Sequence, residues 1–95
     1  MTTVRPVTQT DLAAAARVLL LAPPAAREAE ARSLIAQAHT ADAHRRATGR
    51  AHPWFGNGTL LSAALRRPAA EPRGPGDCTY LACMAQVIDA LLDGY

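Results

Sequence analysis

Histidine and cysteine are the side chains whose protonation and nucleophilicity lie closest to neutral pH, so any chemistry done by this chain would start with them. The histidines are His39, His44 and His52, and the cysteines are Cys78 and Cys83. His39 and His44 stand five apart, not the four that lets two imidazoles on one helix face share a metal ion. His39 and Asp42 do share a face, but the pair has no nucleophile and no further ligand beside it. Two cysteines five apart on a helix point about 140° from each other. They cannot clamp one ion, and both are expected as small buried hydrophobes. No serine sits in a nucleophile turn. Gly49, Gly56 and Gly58 follow no strand, so they make no dinucleotide fingerprint. The acids are scattered and form no convergent set. The expectation is a chain that is not an enzyme, with no catalytic residue, no metal and no cofactor.

A different chemistry is concentrated in the middle. Arg50-Ala51-His52-Pro53-Trp54-Phe55-Gly56-Asn57-Gly58-Thr59-Leu60 holds the single Trp and the single Phe side by side. Between Ala43 and Ala70 there is no acidic residue, while Arg45, Arg46, Arg50, Arg66 and Arg67 fall within that stretch. The remainder carries five arginines against eight acids. A basic centre of this kind concentrates polyanions or acidic protein surfaces, and it also reads as an ordinary solvated face. Lysine is absent, so all ten fixed positive charges are guanidinium forks, which suit phosphates and carboxylates. The Trp54-Phe55 pair has two readings. Both rings fold back as a plug that supplies apolar area alanine cannot. Alternatively, a ring stays accessible near the arginines and contacts nucleic acid or a protein, with His52 in the same segment.

The elements that would position these residues are all helical. Thr8 and Asp11 form a T-x-x-D start signal after the lead-in of residues 1–7. The first helix is expected from about Gln9 to Leu21, with Leu12, Ala15, Ala16, Leu19 and Leu20 apolar, and Pro23-Pro24 end it. A second helix is expected at 25–48. It has Glu28 and Glu30 at its start, Arg45 and Arg46 at its end, Gly49 just past it, and a narrow stripe of Ala31, Leu34, Ile35, Ala38 and Ala41. The double-proline turn suggests that these two helices form an antiparallel hairpin. Asn57 or Thr59 can cap a third helix at 60–67, which Pro68 stops. Residues 69–76 read as an exposed, mobile linker. Asp77 caps a fourth helix at 78–92, with Leu81, Met84, Ile88 and Leu91 repeating at 3-4-3 spacing beside Tyr80, Val87 and Leu92. That stripe is core, or it docks on a neighbouring subunit. No strand pattern and no internal repeat is present.

Ninety-five residues make one domain, 1–95, of the all-α class: a small bundle of about four helices. An alanine-rich chain of this size buries little side-chain area, so association with copies of itself, or with a partner, is expected as a way to bury more. The apolar run from Val18 to Ala26 is too short to span a bilayer. It follows Asp11 and Arg17 and contains two prolines, so neither an export signal nor a membrane helix is expected. Reduced thiols and a cytoplasmic location follow.

Three stretches carry a family resemblance: Ala14-Ala15-Ala16-Arg17-Val18-Leu19-Leu20-Leu21-Ala22-Pro23, the segment from Arg50 to Leu60, and Tyr80-Leu81-Ala82-Cys83. Together they resemble the short proteins encoded at the head of bacterial gene transfer agent clusters, which look like small terminase subunits of domesticated phage particles. The resemblance implies a non-catalytic, oligomeric DNA-packaging subunit that engages DNA and a large terminase partner. Phage small terminases usually open with a helix-turn-helix module. Here the first helix starts at about Gln9, and a 24-residue second helix is long for a recognition helix. The residues therefore favour weak, salt-sensitive backbone contact through Arg45, Arg46, Arg50, Arg66 and Arg67 over sequence-specific reading. The rival expectation is a protein-binding adaptor that never touches DNA and works through the Trp54 loop or the fourth helix.

Overall fold

The structure, a computed structural model, describes residues 5–94; residues 1–4 of the lead-in and Tyr95 lie outside it. Four α-helices follow one another: α1 (Gln9–Leu21), α2 (Arg27–Thr48), α3 (Leu60–Ala64) and α4 (Cys78–Gly94). The chain is an all-α small bundle. Among the described residues no helix is long and apolar enough to cross a membrane.

Each boundary has a local cause. Thr8 Oγ1 accepts the Asp11 amide at 3.2 Å, and Asp11 Oδ2 accepts the Thr8 amide at 2.8 Å. This capping box satisfies amides that the first turn of α1 leaves without partners. At the other end, Arg27 Nε donates to the Leu19 carbonyl at 2.8 Å, so the first residue of α2 covers the exposed end of α1. Pro24–Ala26 form a 3-10 turn closed by the Ala26 amide on the Pro23 carbonyl at 2.9 Å. That turn delays α2 from the expected residue 25 to Arg27. Gly49 ends α2 at φ 74°, in the left-handed region that glycine enters at no steric cost.

α3 is shorter than expected, five residues instead of eight. Thr59 caps it through the Ser62 amide at 3.1 Å. Beyond Ala64 the amides of Arg66 and Arg67 reach back three residues, to Ala63 and Ala64. The turn tightens there because Pro68 disfavours α geometry at Arg67. Asp77 caps α4, its Oδ1 accepting the Thr79 amide at 3.0 Å. α4 runs two residues past the expected end, to Gly94. Residues 69–76 are irregular but tethered: the Ala70 amide donates to the Arg17 carbonyl at 3.0 Å, and the Arg73 amide donates to Asp77 Oδ2 at 3.1 Å.

α1 packs chiefly against α4 and α3, and α2 likewise against α4 and α3, whereas α1 and α2 touch each other over less surface. The first two helices are joined more through α4 than through a direct hairpin contact. Leu19, Leu34, Leu60, Cys83 and Val87 are the largest fully enclosed side chains. The α2 stripe is buried as expected, at Ala31, Leu34, Ile35, Ala38 and Ala41. α4 differs. Its buried seam is Tyr80, Cys83, Val87 and Ala90, and Leu81, Ile88 and Leu92 face outward. Of the expected face, Tyr80, Met84, Val87 and Leu91 do pack on the core, with Cys83 and Ala90 added, and Leu81, Ile88 and Leu92 are left on its outer edge. Cys78, expected buried, is exposed at the first turn of α4, because only the seam containing Cys83 points at α1 and α2.

Candidate functional site

The segment between α2 and α3 is a closed loop with a defined tip. The His52 amide donates to the Gly56 carbonyl at 2.7 Å, and the Gly56 amide returns to the His52 carbonyl at 3.2 Å. Three residues, Pro53, Trp54 and Phe55, lie between these rungs. His52 Nδ1 accepts the amides of Trp54 at 3.1 Å and Phe55 at 3.2 Å from within the turn. The His52 ring stacks on Phe55, with centroids 4.7 Å apart and planes 12° from parallel. It also meets His44 edge-on at 5.0 Å and Trp54 at 5.6 Å. His52 is thus a hub for the loop and fixes the aromatic tip by its ring face and by one nitrogen.

The loop is fastened on two sides. Ser62 Oγ accepts the Asn57 amide at 3.2 Å, and Asn57 Oδ1 accepts the Thr59 amide at 3.0 Å. Gly56 and Gly58 have φ of 90° and 98°. A Cβ on Gly56 would lie 1.8 Å from Ser62 Oγ, and one on Gly58 would lie 2.9 Å from Asp42 Cα. Both glycines are needed for backbone conformation and for close approach. From the N-terminal side, Arg5 Nη1 donates to the Gly58 carbonyl at 2.6 Å and to the Ala38 carbonyl at 3.2 Å. The Arg5 guanidinium also meets His39 and lies 3.7 Å from Asp42. One side chain thus ties the lead-in, α2 and the loop together.

Such anchoring presents Trp54 outward. Trp54 is 72% exposed, while Phe55 is half-buried against His52. One ring is outside and one is partly inside, so the plug reading fails for Trp54. His52, Trp54 and Phe55 form one unit, and His44 joins it from α2.

The five arginines of the acid-free stretch divide. Arg45 Nη1 reaches the Asn57 carbonyl at 3.4 Å and stays exposed beside the loop. Arg66 lies on the other flank, its Nε 3.5 Å from where a Cβ on Gly56 would sit. Arg50 is exposed two residues before His52. Arg46 pairs with Asp42 at 2.7 Å. Arg67 does not join the group. It forms an ion pair with Glu30 and donates to Ser33 Oγ at 2.8 Å, near the start of α2. Fifteen residues of helix separate Glu30 from Arg45, about 22 Å at 1.5 Å per residue. The basic character of the loop end therefore comes from Arg45, Arg50 and Arg66.

Arg5, Ser62 and Asp11 hold this site but were not among the sequence candidates for it. Asp11 Oδ1 accepts the Leu61 amide at 2.8 Å and so fixes the start of α3. Asp11 was legible as a helix start. Its second role joins residues 50 apart, which no local pattern encodes. Among the described residues no three His, Cys, Asp or Glu side chains converge as metal ligands. Burial pushes the Cys83 thiol up from its ordinary value, which suits a structural and unreactive cysteine.

Residues 5–91 match the model of a family described as a domain of unknown function, DUF7742. No curated protein and no solved structure matches the chain.

Proposed function

We propose that this chain, which belongs to the DUF7742 family, is a non-catalytic, oligomeric, small terminase-like subunit. In this reading it touches the DNA backbone without strong sequence preference while a large terminase partner does the packaging chemistry. The observation that carries the reading is Trp54, 72% exposed at the tip of a loop fastened from beneath, with Arg45 at the Asn57 carbonyl, Arg66 near Gly56 and Arg50 exposed two residues before His52. An exposed indole can stack on bases where strands open, and guanidinium forks on the same loop end can pair with phosphates along the backbone. The sequence resemblance to the gene transfer agent proteins supplies the packaging context.

A titration with duplex DNA tests the proposal, because Trp54 is the chain's single indole reporter. Binding should change its fluorescence at low salt. With three phosphate contacts per subunit, log K should fall against log salt with a slope of about −3. Light scattering on the same samples should show an assembly larger than one chain. A signal indifferent to DNA at low salt would sink the DNA part of the reading.

The second reading is a protein-binding adaptor that works through the same tip. One observation favours it: Arg46 and Arg67 are paired with Asp42 and Glu30, which leaves fewer unengaged basic groups at the loop end that carries the large aromatic anchor. An exposed Trp beside Arg is a common hot-spot composition. In that case Trp54→Ala removes binding of the protein partner, and added salt changes little.

A further inference from the structure

We infer that the loop carrying Trp54 is an acid-released element, fixed while the His39 and His52 rings are neutral and freed at its tip when they take up a proton. The inference rests on how the loop is fastened and holds whatever the tip binds. Two of the fastenings end on an imidazole lone pair. His52 Nδ1 accepts the Trp54 amide at 3.1 Å and the Phe55 amide at 3.2 Å. His39 Nδ1 meets Arg5 Nη2. A guanidinium has hydrogens to give and no acceptor, so the lone pair there must be the imidazole's. The His39 proton then sits on Nε2, which donates to the Gly94 carbonyl at 2.8 Å. Arg5, held in this way, carries the Gly58 carbonyl of the loop at 2.6 Å.

A proton on Nδ1 turns both contacts from attractive to repulsive. At His52 it points a hydrogen at two amide hydrogens, and both bonds are lost. At His39 it sets a second cation against Arg5. The surrounding charges offer little relief. From α2, His44 meets the His52 ring at 5.0 Å, and it is itself a group that gains positive charge in acid. Arg45 from α2, Arg66 from α3 and Arg50 from the loop are further cations at that end. On the His39 side, Arg5 comes from the lead-in and Arg32 from α2 lines the same groove. Asp93 of α4 is taken by Arg32 at 2.8 Å. Asp42 is divided between Arg46 at 2.7 Å and Arg5 at 3.7 Å. The other fastenings carry no titrating group: the paired His52 and Gly56 amides and carbonyls, and the Asn57 amide on Ser62 Oγ. Release is therefore confined to the loop and leaves the four helices standing, a local opening of the kind that ligand-contacting loops undergo.

The test is nitrogen-15 relaxation of the full chain, without ligand, from about pH 7.5 to about pH 5, the span in which imidazoles titrate. The order parameters of the Trp54 and Phe55 amides should fall from about 0.85 to below about 0.6, while circular dichroism shows the helices intact. The ring-nitrogen shifts of His39 and His52 should move with the same midpoint. A double variant, His39→Gln with His52→Asn, removes both titrating rings and keeps an acceptor at each place. An asparagine oxygen already takes an amide two residues on in this loop, where Asn57 Oδ1 accepts the Thr59 amide at 3.0 Å. The double variant should keep its tip ordered across the whole span. A parent tip equally ordered at both ends of the span would overturn the proposal. So would a release that persists in the double variant, since it would then belong to His44 or a carboxylate. If the double variant loses helix content, the parent decides alone: order parameters that fall at a midpoint the two rings do not share would sink the idea.

Discussion

One oxygen of Asp11 closes the capping box of α1 with Thr8, and the other accepts the Leu61 amide of α3 at 2.8 Å. The carboxylate is 4% exposed, and a hydrogen bond to a buried charged acceptor contributes more than a neutral one. Asp11→Ala strips partners from both helix starts at once. Urea unfolding should show a loss of about 2–3 kcal/mol, with Asp11→Asn recovering part of it.

Glycine requirements should separate by surroundings. Gly49 and Gly58 both hold positive φ, but a Cβ on Gly49 meets nothing within 4 Å, whereas one on Gly58 reaches the Asp42 backbone. Gly49→Ala should cost about 1–2 kcal/mol from backbone strain alone. Gly58→Ala should cost more and should also shift the Trp54 emission, because the loop must move off α2. Thermal unfolding and emission spectra of the two variants provide the comparison.

Arginine substitutions should sort into binding and folding effects. Arg50→Gln with Arg66→Gln should leave stability within about 0.5 kcal/mol and reduce the salt slope of DNA binding by about 2. Arg67→Gln should do the reverse. It leaves Glu30 and Ser33 short of a donor, which should cost about 1 kcal/mol, with the salt slope unchanged.

Thiol labelling should report one reactive cysteine in the native chain. Cys78 is exposed and Cys83 buried, and burial raises the Cys83 thiol. One equivalent of an aromatic disulfide reagent should react at once, and a second only on unfolding. Cys78→Ser should abolish the fast phase.

Acid should weaken the start of α4. The Arg73 amide, followed by the Tyr80 and Thr79 amides, holds the Asp77 carboxyl below its ordinary value of 3.8. A depressed folded value means a contribution that is complete above the unfolded value and is lost as pH falls through the folded one. Stability should therefore drop below about pH 4, and Asp77→Asn should make that drop shallower in a pH series of urea midpoints.

The readable parts of this fold are those set by one helix and its neighbours in sequence. The α2 stripe from Ala31 to Ala41 has a single apolar face, so its period settled its burial. The caps at Thr8, Thr59 and Asp77 were equally local. α4 was partly ambiguous because its apolar face is wider than one packing seam, and only the packing of α1 and α2 decides that Tyr80, Met84, Val87 and Leu91 turn inward while Leu81, Ile88 and Leu92 stay outside. The arginines misled in another way. The stretch from Ala43 to Ala70 lacks acids along the chain, yet Glu30 approaches Arg67 from 37 residues away. The acid-free centre is thus a property of the sequence that the fold partly undoes. Trp54 could not be placed from its segment, since its exposure depends on Ser62, Arg5 and Asp42 fastening the loop beneath it.

The His52 ring carries one more consequence. With Nδ1 occupied by the Trp54 and Phe55 amides, the neutral ring holds its proton on Nε2. It has no lone pair left to offer. Toward anything that docks beside the aromatic tip, this imidazole acts only as a giver of hydrogen, so a partner that engages it must bring an oxygen or another acceptor to that spot.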